Sequence, residues 1–222
     1  MRYIKKGKEP QGLSAIKNLA ARTGQYPIFE NLPVQVVYEI MQALLYDQGW
    51  LCCYCMNEIS SETSRIVHFL PFKDEALNYS NLYLACNYSN HLPPSQQHCY
   101  IKKGTDLIPK YMADEECTEY FRYNTLGEIL PNGPFRTIRK CQDNYRSLTP
   151  VQQAVLSAIE ILNLNTERLK DQRKAILTEA ANLARKFGKA QVKEVIKKLE
   201  TRDKNGRLHR FCEVIIHYLK AV

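Results

Sequence analysis

Residues 50–73 read WLCCYCMNEISSETSRIVHFLPFK. Cys52 and Cys55 stand at C-x-x-C spacing, and His68 follows inside the short apolar run RIVHFLP. A C-x-x-C pair places two thiolates on one tight turn, as two corners of a tetrahedral zinc site require. Cys53 has that spacing to neither. The other two corners must come from later residues, and Cys86 and Cys99 are the nearest cysteines. A single knuckle also fits two core thiols or a redox pair. A redox pair sits after a strand in a βαβ unit, and no such unit surrounds residue 52.

The knuckle opens a region unlike its flanks. Between residues 50 and 105 no long periodic segment fits, and the loops NYSN (twice) and NHLPPSQQH are rich in Asn, Ser and Pro. A fold so poor in core residues needs a staple, and a metal is the available one. Upstream, residues 13–22 have the amphipathic spacing of a helix, stopped by Gly24 and Pro27, and residues 34–46 form a second helix after Pro33. Downstream, residues 119–130 read as a hairpin turning near Gly127. The remainder is helical: one segment enters through Thr149 and Pro150, and a long amphipathic helix is capped by Asn165 and closed by Gly188. KAQVKEVIKKLE and RLHRFCEVIIHYLKAV follow as helices around the turn RDKNGR. The expected class is α+β, mostly helical. Its parts are an N-terminal arm with helices (1–49), a metal-braced module (50–113), a hairpin connector (114–148) and a helical end (149–222).

The chain has 222 residues, 45% hydrophobic and 24% charged, which is ordinary for a globular protein. No apolar run approaches the 18 residues that span a bilayer, and the basic start MRYIKKGKEPQG lacks the apolar stretch of a signal peptide. A cytoplasmic chain without membrane contact is expected. Disulfides do not persist in that compartment, so spaced cysteines point to metal binding or catalysis. Cys117, Cys141 and Cys212 are scattered and read as buried thiols. The net charge is +8, and it is uneven: residues 166–222 hold 15 Lys and Arg against 7 Asp and Glu, whereas residues 1–165 balance at 16 against 16. That excess suits nucleic acid or an acidic partner, and equally a solvated helix face.

The order of the knuckle, His68, Asn81 within NLYLAC, Cys99 and Lys103 within HCYIKKG resembles the HNH nuclease family. More narrowly, CCYC, IVHFLP and QHCYIKKG, with YFRYNTLGEILP and AIEILNLNTERLKDQR, are similar to the PtuB-like nuclease subunits of Septu anti-phage systems, which also occur as retron effectors. The resemblance spans most of residues 1–176. It implies a ββα-metal module in which His68 is the general base and Asn81 holds its orientation. It also implies a magnesium or manganese ion at the scissile phosphate and a structural zinc on Cys52, Cys55, Cys86 and Cys99. Lys102 and Lys103 would contact the phosphate backbone of DNA or RNA. The implied partners are a PtuA-like ATPase and, in a retron, a reverse transcriptase with its single-stranded DNA. No Walker-type segment is present, so ATP would be used in trans.

The sequence departs from the family at two positions. Val67 stands where an acidic metal ligand usually precedes the histidine, and Tyr100 stands at the other usual ligand position. Asp74, Glu75, Asn87, Asn90 and His98 are the nearby substitutes. The expected function is therefore a metal-dependent endonuclease of an anti-phage complex. The alternative is a catalytically degenerate, zinc-binding adaptor for nucleic acid or the partner ATPase.

Overall fold

The computed structural model describes residues 1–25, 27–109 and 113–221. Residues 51–58 form a tight loop closed by Cys52 N–H donating to Asn57 O (2.8 Å) and Met56 N–H to Cys52 O (3.0 Å). Strands β1 (Ser64–His68) and β2 (Leu82–Cys86) then pair antiparallel, with Ser64 opposite Cys86 and His68 opposite Leu82. Every residue of β2 is buried. Its apolar run supplies the driving force, at roughly 2 kcal/mol for each fully buried Leu.

The outer edge of β2 is covered without a third strand. The Gln48 amide takes that place. Its Nε2 donates to Leu51 O (2.7 Å) and Leu84 O (2.9 Å), while its Oε1 accepts from Leu84 N–H (2.7 Å). Gln48 lies at the end of a helix, so one side chain ties that helix to the sheet and satisfies an edge that would otherwise invite pairing.

Two helices precede the sheet, α1 (Gln11–Thr23) and α2 (Val34–Asp47). α1 ends where expected, with Gly24 left-handed and its N–H on Ala20 O. A four-residue helix, α3 (Tyr100–Lys103), follows Cys99. The expected hairpin is β3 (Phe121–Tyr123) with β4 (Ile129–Pro131). Its turn needs a glycine: Gly127 has φ +74°, and a Cβ there would meet Lys170 O at 2.2 Å. Helices α4 (Ile138–Asp143), α5 (Pro150–Ile161), α6 (Glu167–Lys186), α7 (Lys189–Glu200) and α8 (Cys212–Lys220) complete the chain. None of the described helices is long and apolar enough to cross a membrane.

Three local expectations are corrected. α6 is capped by Thr166, whose hydroxyl accepts from Leu169 N–H, and not by Asn165. Asn165 instead pairs with both backbone groups of Ile129 at 2.9 Å, joining α6 to β4. Gly188 does not close α6; it is the first cap of α7, its N–H held by Gln191. Residues 207–211 are not helical. They run along the cysteine loop, with Leu208 N–H on Gly49 O and Phe211 N–H on Met56 O, both at 3.0 Å.

One hydrophobic cluster runs from Met1 through the cysteine loop and β2 to Leu219 on α8. Residues 1–9 lie across it. Arg2 ion-pairs with Glu213, and Lys6 donates to Leu82 O while its ammonium sits 3.9 Å from the Tyr83 ring centroid. Burial pushes Lys6 down to about 8, against the nearby Asp47 carboxylate. Asp47 also accepts from Gly7 N–H (3.0 Å) and Tyr79 O–H (2.7 Å).

Candidate functional site

The four expected cysteines meet. Cys52 and Cys55 come from the loop after α2, Cys86 from the last position of β2 and Cys99 from the residue before α3. Their sulfurs all lie within 4.8 Å of one another. The Cys52–Cys99 and Cys55–Cys86 separations are 3.8 and 3.7 Å. A tetrahedron with metal–sulfur bonds of about 2.3 Å has edges of about 3.8 Å, so the set fits such an ion. All four are buried. Cys86 N–H donates to Cys52 Sγ at 3.3 Å, and His98 Nδ1 lies 3.2 Å from Cys99 Sγ. The backbone N–H donated to Cys52 Sγ favours its thiolate. Burial and the neighbouring sulfurs push Cys99 up, and the neighbouring sulfurs push Cys86 up. Four thiolates this close need a cation to replace their protons. Cys53 stands apart, as the spacing implies: its N–H joins Leu84 O, and it is not a member of the sulfur group.

A cleft of about 980 Å³ opens along β1, between the segment before α2, the loop after His68 and α3. His68, at the end of β1, lines it. Its Nε2 lies 3.0 Å from Ala76 O. A carbonyl only accepts, so Nε2 carries the proton and Nδ1 carries the lone pair. Among the described residues nothing hydrogen-bonds Nδ1. The Phe29 ring stands edge-on to the imidazole, with centroids 5.2 Å apart.

Asn81 is 5% exposed, and its hydrogen bonds go to backbone groups of Leu70 and Glu75 instead of to His68. Its Oδ1 accepts from Leu70 N–H (2.7 Å), and its Nδ2 donates to Leu70 O (2.9 Å) and Glu75 O (3.1 Å). It therefore clamps the loop whose next residue, Ala76, holds His68. The two lysines separate. Lys103 is 4% exposed and lines the cleft, whereas Lys102 is exposed and does not. Burial lowers Lys103, with Asp106 opposing. Arg65 joins the cleft with its guanidinium 5.5 Å from the Tyr100 ring centroid.

Val67 is half-buried against the core and opposite Tyr83. Of the five substitute donors, Asp74 lines the cleft. Glu75 is held by Asn78 (2.6 Å), Asn87 donates to Glu62 O (3.0 Å), Asn90 donates to Tyr100 O–H (2.9 Å) and His98 faces the cysteines. The sequence missed Glu30, which brings a second carboxylate to the cleft from just before α2. No local signal marks it, because only the tertiary fold brings it near His68. Among the described residues, the cleft holds no group of three His, Cys, Asp or Glu close enough to share an ion.

No family model matches the chain. It is 24% identical, over 217 residues, to a protein of Escherichia coli named "Retron Ec83 putative HNH endonuclease". The match takes in 83% of this chain and 82% of that protein.

Proposed function

We propose that this chain is an HNH-type endonuclease that hydrolyses phosphodiester bonds of DNA or RNA with His68 as the general base. The observation that carries the reading is the hydrogen bond from His68 Nε2 to Ala76 O, which leaves Nδ1 as a base in the same cleft as Lys103. Nδ1 takes the proton of the attacking water. The Ala76 carbonyl then stabilises the imidazolium through the bond it already makes. Lys103 and Arg65 neutralise the phosphate oxygens as charge builds on them. Asn81 is a positioning residue that fixes the Glu75–Ala76 carbonyls. A divalent ion, when bound, supplies Lewis-acid stabilisation of the phosphate. Asp74 and Glu30 are carboxylate donors that the cleft offers it, and substrate phosphate would add further oxygen ligands. The four cysteines hold a structural zinc.

The similarity to a retron protein supports reading this chemistry as part of a defence complex. A PtuA-like ATPase or a retron reverse transcriptase with its single-stranded DNA would be the partner, met through the basic helical end. The second reading, a degenerate adaptor, is favoured by Val67 and by the lack of a preassembled ligand group among the described residues of the cleft. Cleavage assays with magnesium or manganese separate the two. His68→Ala should lower the cleavage rate by roughly 10²–10⁴-fold, while the loss of its bond to Ala76 O costs only about 1 kcal/mol of stability and leaves the protein folded. Cleavage that survives His68→Ala unchanged would sink the nuclease reading, and binding without any cleavage would establish the adaptor.

A further inference from the structure

The His68 cleft has a wall that phosphate chemistry does not need. Ile28 is 58% exposed and Phe72 is 53% exposed, and they line the cleft from two different segments, before α2 and after β1. Phe29 and Leu77 continue the apolar surface between them. Phe29 is engaged with His68, whereas the Phe72 ring has no aromatic partner among the described residues. Exposed apolar side chains gathered in one concave site mark a ligand surface. Arg65, Lys73 and Lys103 line the same cleft and outnumber its carboxylates, Glu30 and Asp74, so the ligand it suits is joined to an anion. A basic groove with an aromatic platform is the arrangement that binds nucleic acid with its bases unstacked. In a duplex the base faces are stacked on their neighbours and cannot reach such a wall.

We propose that the apolar wall at Phe72 and Ile28 is a subsite for an unpaired nucleobase, and that the strand cut at His68 is single-stranded there. The subsite rests on the nuclease reading for its purpose, but its binding is measurable without cleavage.

The test uses full-length His68→Ala protein and a short labelled oligonucleotide, as DNA and as RNA, each alone and annealed to its complement. Fluorescence anisotropy should show the single strand bound roughly tenfold or more tightly than the duplex. Phe72→Ala in the same background should remove that preference. Phe72→Trp should keep it, and the new indole should be quenched by the strand. Whichever of DNA and RNA binds more tightly names the sugar. Equal affinity for strand and duplex overturns the proposal, as does a preference untouched by Phe72→Ala. If Phe72→Ala, made in the wild-type protein, lowers kcat while strand binding holds, Phe72 acts on the loop that sets Ala76 and the subsite is refuted. If strands bind through Phe72 but wild-type protein cuts nothing, the subsite stands and the nuclease reading falls.

Discussion

In the proposed mechanism Asn81 acts on His68 from a distance, through the loop of residues 69–76. Its amide satisfies three backbone groups, and Asn81→Ala leaves Leu70 N–H, Leu70 O and Glu75 O without that partner. An unsatisfied buried polar group costs about 1–3 kcal/mol, so the variant should melt at a lower temperature by that order. Its cleavage should fall in kcat with KM little changed, because Lys103 and Arg65 stay in place. A rise in KM alone, with kcat intact, would show that Asn81 touches substrate and is not a clamp. At this scale the sequence was informative where a residue type is rare in its setting. A histidine in an apolar run, an asparagine before a buried strand and a lysine soon after Cys99 all stand out. Lys102 and Lys103 look alike in sequence; only the turn of α3 sends one into the cleft and leaves the other in water. Glu30 was illegible because nothing in FENLP sets one exposed carboxylate apart from others.

Among the elements, the helices were legible from periodicity and stop signals, and the knuckle from its spacing. Ends were harder. Asn165 and Thr166 both suit a cap, and the long-range pairing of Asn165 with Ile129 decided between them. Residues 207–211 have helical periodicity but spend their N–H groups on Gly49 O and Met56 O. The cysteine loop is closed by only a few backbone hydrogen bonds, so the proposed zinc would brace it. Metal-binding energy there is folding energy. Purified protein should contain about one zinc, the number one four-thiolate site holds. Cys52→Ser or a strong chelator should remove it and melt the β1–β2 hairpin, seen as lost amide protection at Leu82–Cys86. Cys53→Ser should keep both, since its sulfur is outside the group. Loss of zinc in Cys53→Ser with retention in Cys52→Ser would overturn the ligand assignment.

The molecule as a whole is tied together by residues far apart in sequence, and composition gave no hint of it. The arm of residues 1–9 was legible only as basic. It buries Lys6 over Tyr83, and this has a measurable pH signature. The folded value is about 8, below the ordinary lysine value of 10.5. Between the two, the unfolded chain holds a proton that the folded chain has released. Stability from this group therefore rises as pH climbs through that window, and the cost of burying the ammonium is fully present below it. Lys6→Met has no proton to release. The wild-type unfolding free energy should gain on that of Lys6→Met between about pH 8 and 10.5, measured by denaturant titration. Parallel curves would mean that Lys6 is solvated. The charge excess of residues 166–222 was legible from counting, but not that α8 is sunk into the common core while α7 keeps its lysines in water.

The seating of Leu208 and Phe211 on either side of the cysteine loop also sets a schedule. The last sulfur donor leaves the ribosome at Cys99, and the segment that covers the loop arrives more than a hundred residues later. At about 5–20 residues per second, that delay lasts several seconds to tens of seconds. If the four sulfurs hold a zinc ion as proposed, an ion bound in that interval would be sealed in when the segment arrives. Its exchange in the finished protein should be governed by how often the 207–211 strap lifts, not by the affinity of the sulfurs.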